Sequence, residues 1–187
     1  MANFWSTPDV EPKRNFRFQV QITGLTGGND VLWWAKTVTT PAFDVSEVEH
    51  NFLDNKFYFP GRVSWNEVSL TLVDPISIDA VEQTNQLILS SGYVIPAGVP
   101  ANAAQKSTIS KKGATAAIGK VTITILQADG TAVETWTLNN PFIKSAKYGD
   151  LDYSSDDLRT VEMTLRYDWA TCETDSGSNK TQFETTT

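Results

Sequence analysis

One histidine, one cysteine and twenty-two carboxylates are the side chains from which this 187-residue chain would have to assemble acid–base, metal or nucleophilic chemistry. His50 alternates with Val48 and Phe52, the setting of a packed histidine rather than of a base. A hydrolytic triad would also need an activated serine, and no G-x-S-x-G elbow occurs. His50 and Cys172 are too few for a zinc site, which takes three or four such ligands. Gly113–Lys120, GATAAIGK, approximates a phosphate loop, but its glycines lie one residue too far apart and Val121 replaces the magnesium-binding Ser or Thr. The acidic run Asp150–Asp157 lacks both the sharp-turn glycine and the terminal glutamate of a calcium loop. Paired carboxylates for glycoside cleavage are invisible in sequence, and nothing favours them. The expectation is no catalytic residue, no metal and no cofactor.

The totals narrow the class further. Forty per cent hydrophobic and 20% charged residues describe a globular chain long enough for a real core. A net charge of −7 argues against a protein that grips nucleic-acid phosphates. A single cysteine rules out an internal disulfide and fits a reducing compartment. No apolar run reaches membrane-span length, and the first fourteen residues lack the apolar core of a signal peptide. Asn179-Lys180-Thr181, an acceptor pattern for glycosylation, is then a chance match.

The elements that would have to position any site are mostly strands. Phe57–Pro75 is central: two β-rich runs flank Pro60-Gly61, read as a turn, and Val68, Leu70 and Leu72 then share one face until Asp74-Pro75 ends the strand. Upstream, Asp44–Leu53 places Val48, His50 and Phe52 on one side and Val45, Glu47, Glu49, Asn51 and Leu53 on the other. This ribbon, residues 44–65, is poor in core residues for its length, so it either waves in water or meets another subunit. Residues 1–14 form an arm whose Phe4 and Trp5 pack on the chain's own core or on a neighbour. Phe16, Phe18, Val20 and Ile22 mark a half-buried strand over Asn15–Thr23. In the next strand, Val31–Thr39, Trp33 and Trp34 must face opposite ways, one inward and one toward a second surface.

Asp79–Ser91 is the one predicted helix, with Asp79 and Glu82 as a capping box and Gly92 as its stop. Residues 93–119, rich in Ala, Gly, Ser and Lys, read as a long loop. Asp129-Gly130 joins two alternating strands in a hairpin. A short strand, Phe142–Gly149, precedes the acidic turn, and Thr160–Trp169 reads as a clean strand with a frayed polar tail over 171–187. The sum is one domain over residues 1–187. It is mainly β, an antiparallel β-sandwich or barrel with one packed α-helix and a long extended hairpin.

The order and spacing of these runs resemble a known family. Asn15–Val20 (NFRFQV) is followed by W-x-K-x-V-x-x-P-x-F over Trp34–Phe43, P-G-x-x-x-W over Pro60–Trp65 and V-x-L-T-L-V-D-P over Val68–Pro75. Asp79-Ala80 then opens the helix, and VEMTLRYDW over Val161–Trp169 closes the pattern. Over roughly Phe16–Trp169 the chain resembles the tail tube proteins of contractile-tailed bacteriophages and, more distantly, the inner-tube proteins of contractile injection systems. The resemblance implies a non-enzymatic structural subunit that self-assembles into stacked hexameric rings, each subunit adding strands to a β-barrel around a lumen.

In that family the sheath protein lies outside, the tape measure protein and DNA pass inside, and a baseplate and a tail terminator close the ends. The place implied is the virion tail, assembled in host cytoplasm, with no membrane partner. Trp5, one of Trp33 and Trp34, Phe57, Tyr58, Pro60, Gly61 and Arg62 become the candidate subunit interface, and Glu47 and Glu49 the candidate lumen lining. Six copies would carry about −42 per ring, and an acidic lumen would not hold passing DNA. Two other readings remain open. One is a tube-initiating baseplate or tail-end protein of the same fold. The other is a carbohydrate-binding sandwich that stacks sugars on Trp33, Trp34 and Trp65.

Overall fold

The computed structural model describes residues 11–25, 34–77, 79–95, 107–174 and 180–182. Among the described residues, eleven strands and two helices follow one another as β1 (Phe18–Ile22), β2 (Ala35–Val38), β3 (Phe43–Phe52), β4 (Asn55–Trp65), β5 (Val68–Val73), α1 (Ala80–Ser90), α2 (Lys111–Ile118), β6 (Val121–Leu126), β7 (Ala132–Asn139), β8 (Phe142–Lys147), β9 (Thr160–Arg166), β10 (Trp169–Thr174) and β11 (Lys180–Gln182). Every pairing is antiparallel. One sheet runs β1-β6-β7-β10-β11, a second runs β2-β5-β9-β8, and β3-β4 stand as a separate ribbon.

Alternation builds the core as the sequence requires. Val20, Ile22, Val121, Ile123, Leu138 and Ala170 face inward from the first sheet, and Val68, Leu70, Leu72, Met163 and Leu165 from the second. Leu87 of α1 and Ile118 of α2 complete the same cluster. Asp79 caps α1 by accepting from the Glu82 N–H at 2.9 Å, and Gly92 follows its end at φ 105°. The Asp79 cap and the Gly92 stop are therefore where the sequence puts them.

Four expectations need correction. The stretch 93–119 is not loop throughout, because α2 occupies Lys111–Ile118. Ser110 caps it by accepting from the Gly113 N–H at 3.0 Å, and Ala114 and Ile118, four residues apart, are its buried face. Thr160–Trp169 is two strands: the chain turns at Tyr167-Asp168, and Trp169–Thr174 pairs with β7 and buries Ala170 and Cys172, so residues 171–174 are not tail. Phe16 lies outside β1 and is exposed, because the Arg17 N–H closes a turn on the Arg14 carbonyl at 3.2 Å. Pro60-Gly61 is not the hairpin turn; it lies inside β4, and the ribbon reverses at Leu53-Asp54 with Leu53 at φ 53°.

Two local contacts hold α2 to the sheets, and each makes a prediction. The Gly24 N–H donates to the Ile118 carbonyl at 2.8 Å, and a Cβ at residue 24 would lie 1.9 Å from the Ala117 carbonyl oxygen. Gly24→Ala must therefore push α2 off β1, and it is expected to cost about 1–3 kcal/mol of stability in a denaturant titration. Asp168 accepts from Lys111 Nζ at 2.7 and 2.9 Å and from Asn140 Nδ2 at 2.9 Å, tying α2 to the β7–β8 turn.

The Lys111 hydrogen bonds, then that of Asn140, hold the Asp168 carboxyl below its ordinary pKa. A carboxylate lowered in the folded state contributes stability above its unfolded pKa of about 3.9, and loses it as pH falls through the folded value. Asp168→Asn is thus expected to lower stability by about 1 kcal/mol at neutral pH, the partial exposure of the pair keeping the loss small. Parent and variant should converge in thermal melts once pH falls below the folded-state value of Asp168, where both side chains are neutral.

Candidate assembly surface

The ribbon β3-β4 is the feature that the rest of the fold does not need. Its ten and eleven residues are exposed from end to end except at Trp65. Its root is fixed by packing: the Phe43 and Trp65 rings meet edge to face at 5.4 Å, and Trp65 lies 6.0 Å from Tyr167. The Asn66 backbone N–H donates to the Ala42 carbonyl at 2.8 Å, and Asn66 Nδ2 donates to Asp44 Oδ2 at 2.9 Å. Burial of the Tyr167 phenol beside this root raises its pKa.

A bulge then re-aims the ribbon. Val45 pairs with Val63 but Glu47 pairs with Pro60, so β4 carries one extra residue around Gly61 and Arg62. The Arg62 N–H released from the ladder donates to Ser46 Oγ at 2.8 Å. A Cβ on Gly61 would sit 2.3 Å from that same oxygen, which is why glycine belongs there. Pro60-Gly61 was thus legible as an irregularity but not as this one.

The extra residue reverses the alternation of β4 and sorts the outer ribbon into two unlike faces. One carries Glu47, Glu49 and Asn51 opposite Pro60, Tyr58 and Lys56, with Lys56 Nζ 3.0 Å from Glu49. The other carries Val48, His50 and Phe52 opposite Phe59, Phe57 and Asn55. Val48, Phe52, Phe57 and Phe59 remain 49–62% exposed. Covering those four side chains would remove on the order of 400 Å² of apolar surface, worth about 10 kcal/mol before the costs of association. A lone two-stranded hairpin is marginal in water, so a flat apolar face on one is a surface that fits a partner.

The candidate residues divide accordingly. Phe57 lies on the apolar face, Tyr58 and Pro60 on the acidic one, and Gly61 and Arg62 form the bulge. Glu47 and Glu49 share a face, with Glu49 partly offset by Lys56. Val48, Phe52 and Phe59 join Phe57 on the apolar face: alternation already puts Val48 with Phe52, and only the register across the ribbon sets Phe57 and Phe59 on their side. Trp34 is half-buried and lines a small apolar cavity with Leu72, Ala80, Thr84 and Met163, so it packs inward. Trp5 and Trp33 lie outside the described residues. Trp65 is held between Phe43 and Tyr167, which removes it as an open platform for sugars. Among the described residues no group of three or more His, Cys, Asp or Glu is arranged to hold a metal ion, and no helix is long and apolar enough to cross a membrane.

No family model and no curated protein sequence matches the chain. Solved structures do. A chain of the anti-feeding prophage baseplate superposes with a TM-score of 0.62 at 16% identity, covering 91% of this chain and 99% of that one. A chain of an extracellular contractile injection system's sheath–tube complex gives 0.57 at 19% identity, covering 89% and 94%. A chain of the anti-feeding prophage tube-terminating cap gives 0.56 at 19% identity, covering 93% and 99%. The fold is therefore tail-tube-like, of the kind found in contractile systems, and the structures that share it are structural components rather than enzymes.

Proposed function

We propose that this chain is a structural subunit of a bacteriophage tail tube, assembling into hexameric rings that stack around a lumen. The observation that carries the reading is the ribbon: nine paired positions, six of them beyond the bulge, rooted in the core and presenting an apolar outer face that the subunit itself leaves open. The full-length likeness to chains of tube, cap and baseplate assemblies supports the same reading.

In the mechanism that follows, the face of Val48, Phe52, Phe57 and Phe59 packs on an adjacent subunit, and ring closure hides sheet edges that would otherwise be exposed. The opposite face then presents Glu47 and Glu49 toward the lumen, where like charge keeps the genome from adhering as it passes during ejection. The sheath surrounds the tube, the tape measure protein fills it before DNA does, and baseplate and terminator bound it. A tube-initiating or tail-end ring of the same fold is the second reading, supported by the cap and baseplate chains among the similar structures.

Sedimentation velocity over a concentration series tests both. Growth without limit as concentration rises supports the elongating tube, and a single species of six subunits supports the initiator. A monomer throughout contradicts both.

A further inference from the structure

The chain is acidic, yet one groove is not. Between the edge strands β1 and β2 lies an open groove of about 520 Å³ whose rim carries Lys13, Arg14, Arg17 and Lys36 and whose floor includes Phe18 and Ile125. Lys13 pairs with Glu134, and Arg17 pairs with Glu11 at 2.8 Å. Burial tends to raise the Glu134 carboxyl, but hydrogen bonds from Lys13 and Trp136 outweigh it and hold it low. Arg14 and Lys36 are exposed and have no carboxylate within 4.0 Å among the described residues.

A second feature has the complementary chemistry. The β8–β9 loop carries Asp150, Asp152, Asp156 and Asp157, together with Leu151, Tyr153 and Leu158 at 82%, 111% and 72% exposure. Its base is fixed: Arg159 lies 3.6 Å from Asp74, and Asp74 in turn accepts from the Ala80 N–H at 3.0 Å. The four aspartates have no cation within 4.0 Å among the described residues. A loop of acids and exposed apolar side chains thus faces solvent on the same molecule that carries a basic-rimmed, apolar-floored groove.

We propose that the β8–β9 loop of one copy docks into the β1–β2 groove of another copy, with Asp150 and Asp156 meeting Arg14 and Lys36 and the loop's apolar side chains covering the floor. The partner is a second copy because the loop, its base held by the Arg159–Asp74 pair, shares no lining residue with the groove of its own chain, while the two patches are complementary in charge and both open to solvent. A contact joining two different patches is head-to-tail, so it propagates as a closed ring or a filament. Opposed charges give this contact its register and its salt dependence. The inference rests on the self-assembly reading and names a second contact, separate from the ribbon.

Charge reversal and cross-linking test it together. Arg14→Glu with Lys36→Glu is expected to raise the concentration needed for assembly by about tenfold or more. Adding Asp150→Lys and Asp156→Lys should return it to within roughly threefold of the parent. Asp152 is left alone because it accepts from Ser154 and shapes the loop, and thermal melts confirm that each variant is folded. In parallel, Lys36→Cys and Asp156→Cys are made in separate chains, mixed and assembled under mild oxidation. Native Cys172 is buried and its thiol is pushed up by burial, so it does not compete. The expected result is a disulfide-linked dimer only in the mixture. Assembled particles that lack the cross-link, or a charge swap that fails to rescue, overturn this contact while leaving the tube reading intact. A chain that stays monomeric without any substitution overturns both.

Discussion

Phe57→Asp combined with Phe59→Asp yields a protein that melts like the parent but sediments as a monomer at concentrations where the parent assembles. Both rings are about half exposed and lie on the outer ribbon, past the bulge, where their ladder partners are His50 and Val48 of β3 rather than residues of the core. Their loss therefore leaves the sandwich of β5, β9, β6 and β7 untouched, and surface changes of this kind move folding stability by within about 0.5 kcal/mol. Burying two uncompensated carboxylates against an apolar neighbour costs several kcal/mol per contact, and the penalty recurs at every subunit of a ring. The effect on assembly is accordingly near all-or-none, and circular dichroism melts beside sedimentation separate it from misfolding. Removing residues 55–65 outright is the blunter variant, and the structure argues against it: Trp65 would go too, and with it the packing on Phe43 and Tyr167.

The opposite dissociation of effects is expected at Leu165→Ala. Leu165 is fully buried in β9, paired with Val68 on one side and Ile143 on the other, and lies within the core cluster shared by both sheets. Deleting its branched end leaves a cavity that neighbours on two paired strands cannot collapse into, for a loss of about 2–5 kcal/mol. For a domain of this size that lowers Tm by roughly 5–15 °C. Below its new transition the variant should still assemble, because the ribbon's apolar outer face of Val48, Phe52, Phe57 and Phe59 lies past the bulge and outside this core cluster. Met163→Leu, a nearby volume-conserving change, should cost less than about 1.5 kcal/mol and serves as the control.

Where pattern and local chemistry agreed, the fold could be read from the sequence. The alternation Val68-Leu70-Leu72 and Val161-Met163-Leu165 told which side faces the core, and Asp79 with Gly92 bounded α1. Helix α2 escaped because its buried face is only Ala114 and Ile118, small residues within a run that composition describes as loop. Strand β10 escaped because the turn at Tyr167-Asp168 has no glycine or proline, and Asp168 is fixed there by side chains distant in sequence, Lys111 and Asn140. The ribbon was legible as a poorly buried pair of strands. The two sides of β3 were legible too, but which residues of β4 join each side was not, since one extra residue at Gly61 inverts half of β4, and no periodicity reports which residue of a ladder is unpaired. The basic groove is likewise a product of topology: Arg14 and Lys36 are far apart in sequence and meet only because β1 and β2 border the same opening.

The central claim is that the exposed ribbon is an assembly element, and electron microscopy of the purified chain across a concentration series tests it most directly. Hollow tubes or stacked six-membered rings, absent when Phe57 and Phe59 are replaced by aspartate, are the predicted result. A chain that stays monomeric at the highest concentrations, or tubes that form unchanged in that double variant, would contradict it.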